Sequence, residues 1–290
     1  MATRRDEDQD PDQARIQIPE SACCCPSPAP PVVGAGSGSD GRDEYAKEYV
    51  PRGTYVDIGG LKTYVTGASP VTATKAIVVI YDIFGFSPQL LQGLDGIGAT
   101  DYPKDGDGEE YVLFVPDLFE GCPAEVSWYP PETPEQIQKL GAWYATRTPQ
   151  MAVDRVPGFL VDVERAYGKK SWGVLGYCWG GKATSLLAST SPPQIAFKIV
   201  VQCHPALIEP AEALSITIPT LVLASKDEDL AVVQSYVENL ACNGEQKALH
   251  VFDDMVHGWL SARGDLEDVR VRDEWVRGYG LINEFLKSWF

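Results

Sequence analysis

The chain has 290 residues, 44% of them hydrophobic and 22% charged, enough to bury the core of one large sheet-containing domain without a disulfide scaffold. With 41 acidic against 24 basic residues its net charge is −17; that field repels phosphate backbones and anionic lipid headgroups, so neither nucleic acid nor a membrane is expected as a partner. Seven cysteines, an odd number spread along the chain, do not form a secreted disulfide framework, and a polar N-terminus with no apolar signal-like or spanning segment points to a cytoplasmic protein with reduced thiols.

Residues 1–48 form a compositional zone of their own, acidic and rich in Pro, Gly and Ser, and read as a disordered tail. Cys23-Cys24-Cys25 lies within it. No His or Cys pair stands nearby at ligand spacing, so no metal site is expected there, and the triplet reads as a reduced, exposed thiol cluster or as a weak docking point of the tail on the domain. Residues 49–290 read as a single domain. The segments 54–58 and 61–65 flank Gly59-Gly60, a pair able to supply the positive φ values of a tight hairpin turn. Continuous apolar, β-branched runs follow at 76–81, 111–116, 172–176, 197–201, 220–224 and 248–252, as expected for strands buried on both faces. Helical spacing occupies 88–97, 134–146, 151–167, 180–188, 230–240 and 268–289. This alternation predicts an α/β protein: a mostly parallel, doubly wound sheet with helices on both faces. The acidic stretch 101–110 lacks the twelfth-position glutamate of a calcium loop, where Val112 stands, and reads as an exposed connection.

The strongest motif is Gly176-Tyr177-Cys178-Trp179-Gly180-Gly181, placed between a strand and a helix. A nucleophile on a sharp strand-to-helix turn needs small neighbours, and the helix start directs amide groups and a positive dipole end at the thiol. Cys178 is therefore the expected nucleophile. In the chain order nucleophile, acid, histidine, His257 falls after the last strand and is the expected base, while His250 lies within that strand. Asp227, three residues past the strand 220–224, is the expected acid; Asp229 competes, or caps the next helix. The oxyanion hole is expected from the amides of Trp179 and Ile83, the latter in Asp82-Ile83-Phe84-Gly85 after an early strand. Asp82 would then lie near the thiol, disfavouring its anion or accepting its proton.

These blocks, with Lys182, Ser225-Lys226-Asp227 and His257-Gly258, resemble the dienelactone hydrolase family (carboxymethylenebutenolidases) from about residue 49 to residue 290. The resemblance implies the α/β-hydrolase fold, a triad of Cys178, His257 and Asp227, an oxyanion hole from Ile83 and Trp179, no cofactor and no metal. It also implies a small-molecule ester or lactone as substrate. In the bacterial pattern a glutamate stands in place of Asp82, and a serine followed by a nearby arginine, which hold the substrate carboxylate, come after the histidine. Here Gly258 replaces that serine and Arg263 is six residues past His257, which points away from dienelactone itself; the tail-plus-domain layout, with Glu48-Tyr49-Val50-Pro51-Arg52-Gly53 leading into the hairpin, is similar to that of eukaryotic, especially fungal, relatives. Phe84, Tyr177, His204 and Trp259 are expected around the thiol with Asp82. His204, after another strand, either lines the pocket or caps a strand end. Residues 120–134, with Trp128 and Tyr129, form either an aromatic wall over the site or a surface loop. Two other readings stay open: an isomerase or cyclase of a polyketide-like substrate that reuses the pocket, and a non-catalytic binding or redox module. Oligomeric state, a homodimer included, is open as well.

Overall fold

A computed structural model of the protein describes residues 49–98, 111–190 and 195–290. The tail 1–48, with its three cysteines, and the acidic stretch 101–110 lie outside the described residues. Eight strands form one sheet: β1 (Thr54–Ile58), β2 (Leu61–Gly67), β3 (Lys75–Ile80), β4 (Tyr111–Pro116), β5 (Ser171–Tyr177), β6 (Ile199–Cys203), β7 (Thr220–Ser225) and β8 (Lys247–Phe252). Their spatial order is β1-β2-β4-β3-β5-β6-β7-β8. β1 and β2 pair antiparallel, as do β2 and β4, and every pairing from β4 to β8 is parallel.

Burial follows position in the sheet. β4, β6 and β7 are buried along their whole length, and β3 and β5 at all but their first residue, whereas the edge strand β8 is mostly half-buried. That is why the central strands read as unbroken apolar runs. The hairpin turn places Gly59 at φ 61° and Gly60 at φ 83°, the left-handed region glycine enters at no steric cost.

The helices are α1 (Pro88–Gly98), α2 (Pro134–Thr146), α3 (Pro149–Tyr167), α4 (Trp179–Ser189), α5 (Leu230–Asn239) and α6 (Val269–Trp289). α1 and α6 pack together on one face, and α3, α4 and α5 cover the other. Local chemistry fixes their starts. Thr133 and Gln136 form a reciprocal capping box before α2, Asp229 accepts from the amides of Ala231 and Val232, and Asp268 accepts from those of Arg270 and Val271. α3 begins two residues earlier than its spacing suggests, because Pro149 occupies the first turn, where a missing N–H costs nothing. β6 runs two residues later than its apolar stretch: pairing continues through Gln202 and Cys203, opposite Gly176 and Tyr177. Among the described residues no helix is long and apolar enough to cross a membrane.

Candidate active site

The carboxyl ends of β3, β5, β6, β7 and β8 gather the chemistry at one rim, where ligands of open parallel sheets are expected. Cys178 joins β5 to α4 with φ 53° and ψ −109°, a conformation a side-chain-bearing residue adopts only under constraint. The constraint is visible around it. The Cys178 amide donates to the Cys203 carbonyl at 3.0 Å, and its own carbonyl accepts from Ala206 at 3.0 Å and Lys182 at 3.2 Å. The flanking glycines are dictated by contact. A Cβ on Gly176 would lie 2.2 Å from the Gly180 carbonyl oxygen, and one on Gly180 would lie 1.9 Å from that of Ile80.

A cavity of about 120 Å³ opens beside the sulfur. Cys178, His257 and Asp82 contribute polar groups to it; Ile83, Phe84, Tyr129 and Tyr144 supply apolar and aromatic wall, and Arg263 brings a cation. Tyr129 thus comes from the proline-rich loop to the cavity, its ring 6.3 Å from that of Phe84. Tyr144, on α2, had no motif to mark it; burial, then the charge at Cys178, raise the pKa of its hydroxyl. The Ile83 and Trp179 amides are not donors in any backbone hydrogen bond among the described residues. Trp179 opens α4, and a first-turn amide has no carbonyl one turn earlier to bond. Its indole is occupied elsewhere, donating to the Arg147 carbonyl at 2.8 Å.

The carboxylate beside the imidazole differs from expectation. Nδ1 of His257 lies 2.5 Å from Oε1 of Glu228, not beside Asp227. Asp227 instead accepts the backbone N–H of His257 through Oδ2 at 2.8 Å. Consecutive residues past β7 diverge in direction, so one braces the backbone of the histidine and the next meets its ring. Glu228 is held in turn by the backbone amide and hydroxyl of Ser225, the latter at 3.0 Å. Asp229 is the α5 cap and takes no part. Burial alone would depress the pKa of His257, but the charge and hydrogen bond of Cys178, and then Glu228, outweigh it and raise it to about 11.

Three residues expected in the pocket are not among its walls. Tyr177 sends its hydroxyl to that of Tyr279 on α6 at 3.1 Å. Trp259 is fully buried against Phe252, ring centroids 4.3 Å apart, and under Gly278. His204 is also fully buried; it sits behind His257 with ring centroids 5.1 Å apart, and neither of its ring nitrogens has a hydrogen-bond partner among the described residues. It therefore neither lines the cavity nor caps a strand end through its side chain. Arg263 does reach the cavity despite its altered spacing: its Nη1 donates to the His257 carbonyl at 2.6 Å, and its guanidinium lies 5.0 Å from the Tyr129 ring centroid. Asp82 is buried, which raises its carboxyl pKa; Ser261 and the Phe84 and Ala262 amides oppose that rise by hydrogen bonding.

This rim can be compared with known proteins. The sequence profile of the dienelactone hydrolase family matches residues 61–286. The chain belongs to the dienelactone hydrolase family. A relative in Schizosaccharomyces pombe, an uncharacterized AIM2 family protein, is 31% identical over 247 residues, covering 83% of this chain and 93% of its own. Hydrolase pyvD of Aspergillus violaceofuscus is 26% identical over 247 residues, covering 82% and 92%. Among solved structures, dienelactone hydrolase from Anabaena variabilis superposes with a TM-score of 0.53 at 17% identity, covering 82% of this chain and 97% of its own. The likeness to that structure is one of fold: this dienelactone hydrolase family member has the α/β-hydrolase fold, with its mostly parallel sheet.

Proposed function

We propose that the chain hydrolyses a carboxylic ester or lactone of a small molecule through a thioester at Cys178, with His257 as base and Glu228 as the carboxylate that orients it. The observation that carries this reading is Cys178 itself, held at φ 53° on the strand-to-helix turn and lining one cavity together with His257. The site needs neither metal nor cofactor for this chemistry.

The Cys178 proton passes to the His257 nitrogen that faces it, and the sulfur attacks the carbonyl carbon. The resulting oxyanion takes hydrogen bonds from the Ile83 and Trp179 amides. Such donors are worth a factor of about 10²–10³ in rate each, because they are fixed before charge develops. The intermediate collapses, the C–O bond breaks, and the leaving oxygen receives the proton from His257. Water then attacks the thioester carbonyl while His257 takes one of its protons. Expulsion of the sulfur completes the turnover. Glu228 at Nδ1 fixes the tautomer and stabilises the imidazolium of both steps. Phe84, Tyr129 and Tyr144 favour a flat, apolar group next to the carbonyl, and Arg263 favours an anionic substituent. The isomerase or cyclase alternative draws no support from the Aspergillus violaceofuscus relative, which carries hydrolase in its name.

The test is a panel of lactones, aryl esters and thioesters assayed with wild type and Cys178→Ala, with intact mass recorded during turnover. Loss of about 10³-fold or more in the variant, with an acyl adduct on the wild type only, is expected. Near-normal turnover of every responsive substrate by Cys178→Ala would remove the reading.

A further inference from the structure

We propose that Asp82 is a positioning residue, which acts through Ser261 to join the oxyanion loop to the loop carrying His257. This rests on the reading of the site given above. The sequence placed Asp82 beside the thiol, as a group that modulates it directly. Its hydrogen bonds run the other way. Oδ1 accepts the Phe84 amide at 2.8 Å, which folds residues 82–84 into a local turn around Ile83. Oδ2 accepts the Ser261 hydroxyl at 2.5 Å and the Ala262 amide at 3.4 Å. Both carboxylate oxygens are therefore engaged, one on each of the two loops whose mutual placement the chemistry depends on.

Asp82 and Ser261 are separated by 179 positions in sequence. Asp82 is 2% and Ser261 0% exposed, so water does not substitute for either partner at low cost. Ser261 also lies 3.3 Å from the Gly258 carbonyl, the residue after His257, and its amide donates to that same carbonyl at 3.0 Å. The chain of contacts thus runs Ile83, Asp82, Ser261, Gly258, His257. The carboxylate fixes where the oxyanion donor stands relative to the base, a separation in which an error of about 1 Å costs roughly 10²-fold in rate.

The experiment is a double-mutant cycle of Asp82→Asn and Ser261→Ala, with Ser261→Thr as the hydroxyl-retaining control and circular dichroism to confirm folding. Two readouts are taken: kcat and KM on a responsive ester, and the rate at which iodoacetamide alkylates Cys178, read by mass. Ser261→Ala is expected to lower kcat and alkylation about tenfold with KM within about twofold. The double variant is expected to be no slower than the worse single one, since both remove one link. Ser261→Thr should stay within about threefold of wild type. Wild-type rates in Ser261→Ala together with a large loss in Asp82→Asn would overturn the proposal in favour of direct action on the thiol. So would fully additive losses, or a folded Ser261→Thr that is as slow as Asp82→Asn. Alkylation needs no substrate, so this result stands apart from the failure of the hydrolase reading, which the Cys178→Ala assay detects.

Discussion

Glu228 meets the imidazole of His257 at 2.5 Å, whereas Asp227, one residue earlier, accepts only the backbone N–H of that histidine. The two carboxylates therefore separate cleanly in their expected effects. Glu228→Gln should lower kcat by about 10²–10⁴-fold, because the ring loses the charge that holds its tautomer and stabilises the imidazolium. Asp227→Asn, which keeps an oxygen to accept the backbone N–H, should cost less than about tenfold. Steady-state kinetics on both variants decides the matter; equal losses, or the reverse order, would return the acid role to Asp227.

The elbow stores strain that a single substitution should release. Cys178 sits at φ 53° and ψ −109°, and residues in such regions cost about 1–3 kcal/mol. Cys178→Gly should therefore be inactive yet more stable than wild type by about 1 kcal/mol, after the small loss of buried sulfur contacts. Urea denaturation with unchanged slope measures this.

His204 links stability to acid. Burial first, then the charges at His257 and Arg263, hold its pKa well below that of a free imidazole. The unfolded chain binds a proton there below about pH 6.5 while the folded one does not. Stability contributed by the neutral ring is thus present above that pH and lost as pH falls through it. His257 has the opposite shift, to about 11, so its window lies above pH 6.5 and does not overlap. His204→Phe should flatten the decline in melting temperature between about pH 6.5 and 5 relative to wild type; an unchanged slope would assign that decline elsewhere.

Gly258 fills the position of the bacterial serine, at φ 92°, and a Cβ there would lie 3.2 Å from the Arg263 stem. Gly258→Ser should push that stem away and loosen the arginine's bond to the His257 carbonyl. We expect kcat to fall about tenfold, without a gain on dienelactone. A variant with wild-type kcat would show that Arg263 has room to yield.

Much of the layout follows from local pattern. Apolar β-branched runs marked the six parallel strands, Gly59-Gly60 marked the hairpin, and 3.6-residue spacing marked the helices, since each is a short-range consequence of side-chain periodicity or turn sterics. Gly176 and Gly180 around Cys178 were legible because a strand-to-helix turn needs small residues beside its tip, although only Gly176 is held by contacts within the elbow, while Gly180 is held by Ile80 and Tyr81 at the end of β3. The order of strands along the sheet brought Cys178, His257 and the acidic turn after β7 to one rim, as the chain order of the motifs implied.

What the chain alone determined was which segments would be strands, helices and elbow, and which rim would carry the reactive groups. Tertiary structure decided the partners: Glu228 rather than Asp227 at the imidazole, Ser261 on Asp82, Arg263 and Tyr144 at the cavity, and Tyr177, His204 and Trp259 withdrawn from it. The reason is directional. At a loop a rotation about one or two backbone bonds turns a side chain to the opposite side, and contacts spanning 29 to 179 residues depend on how distant elements dock.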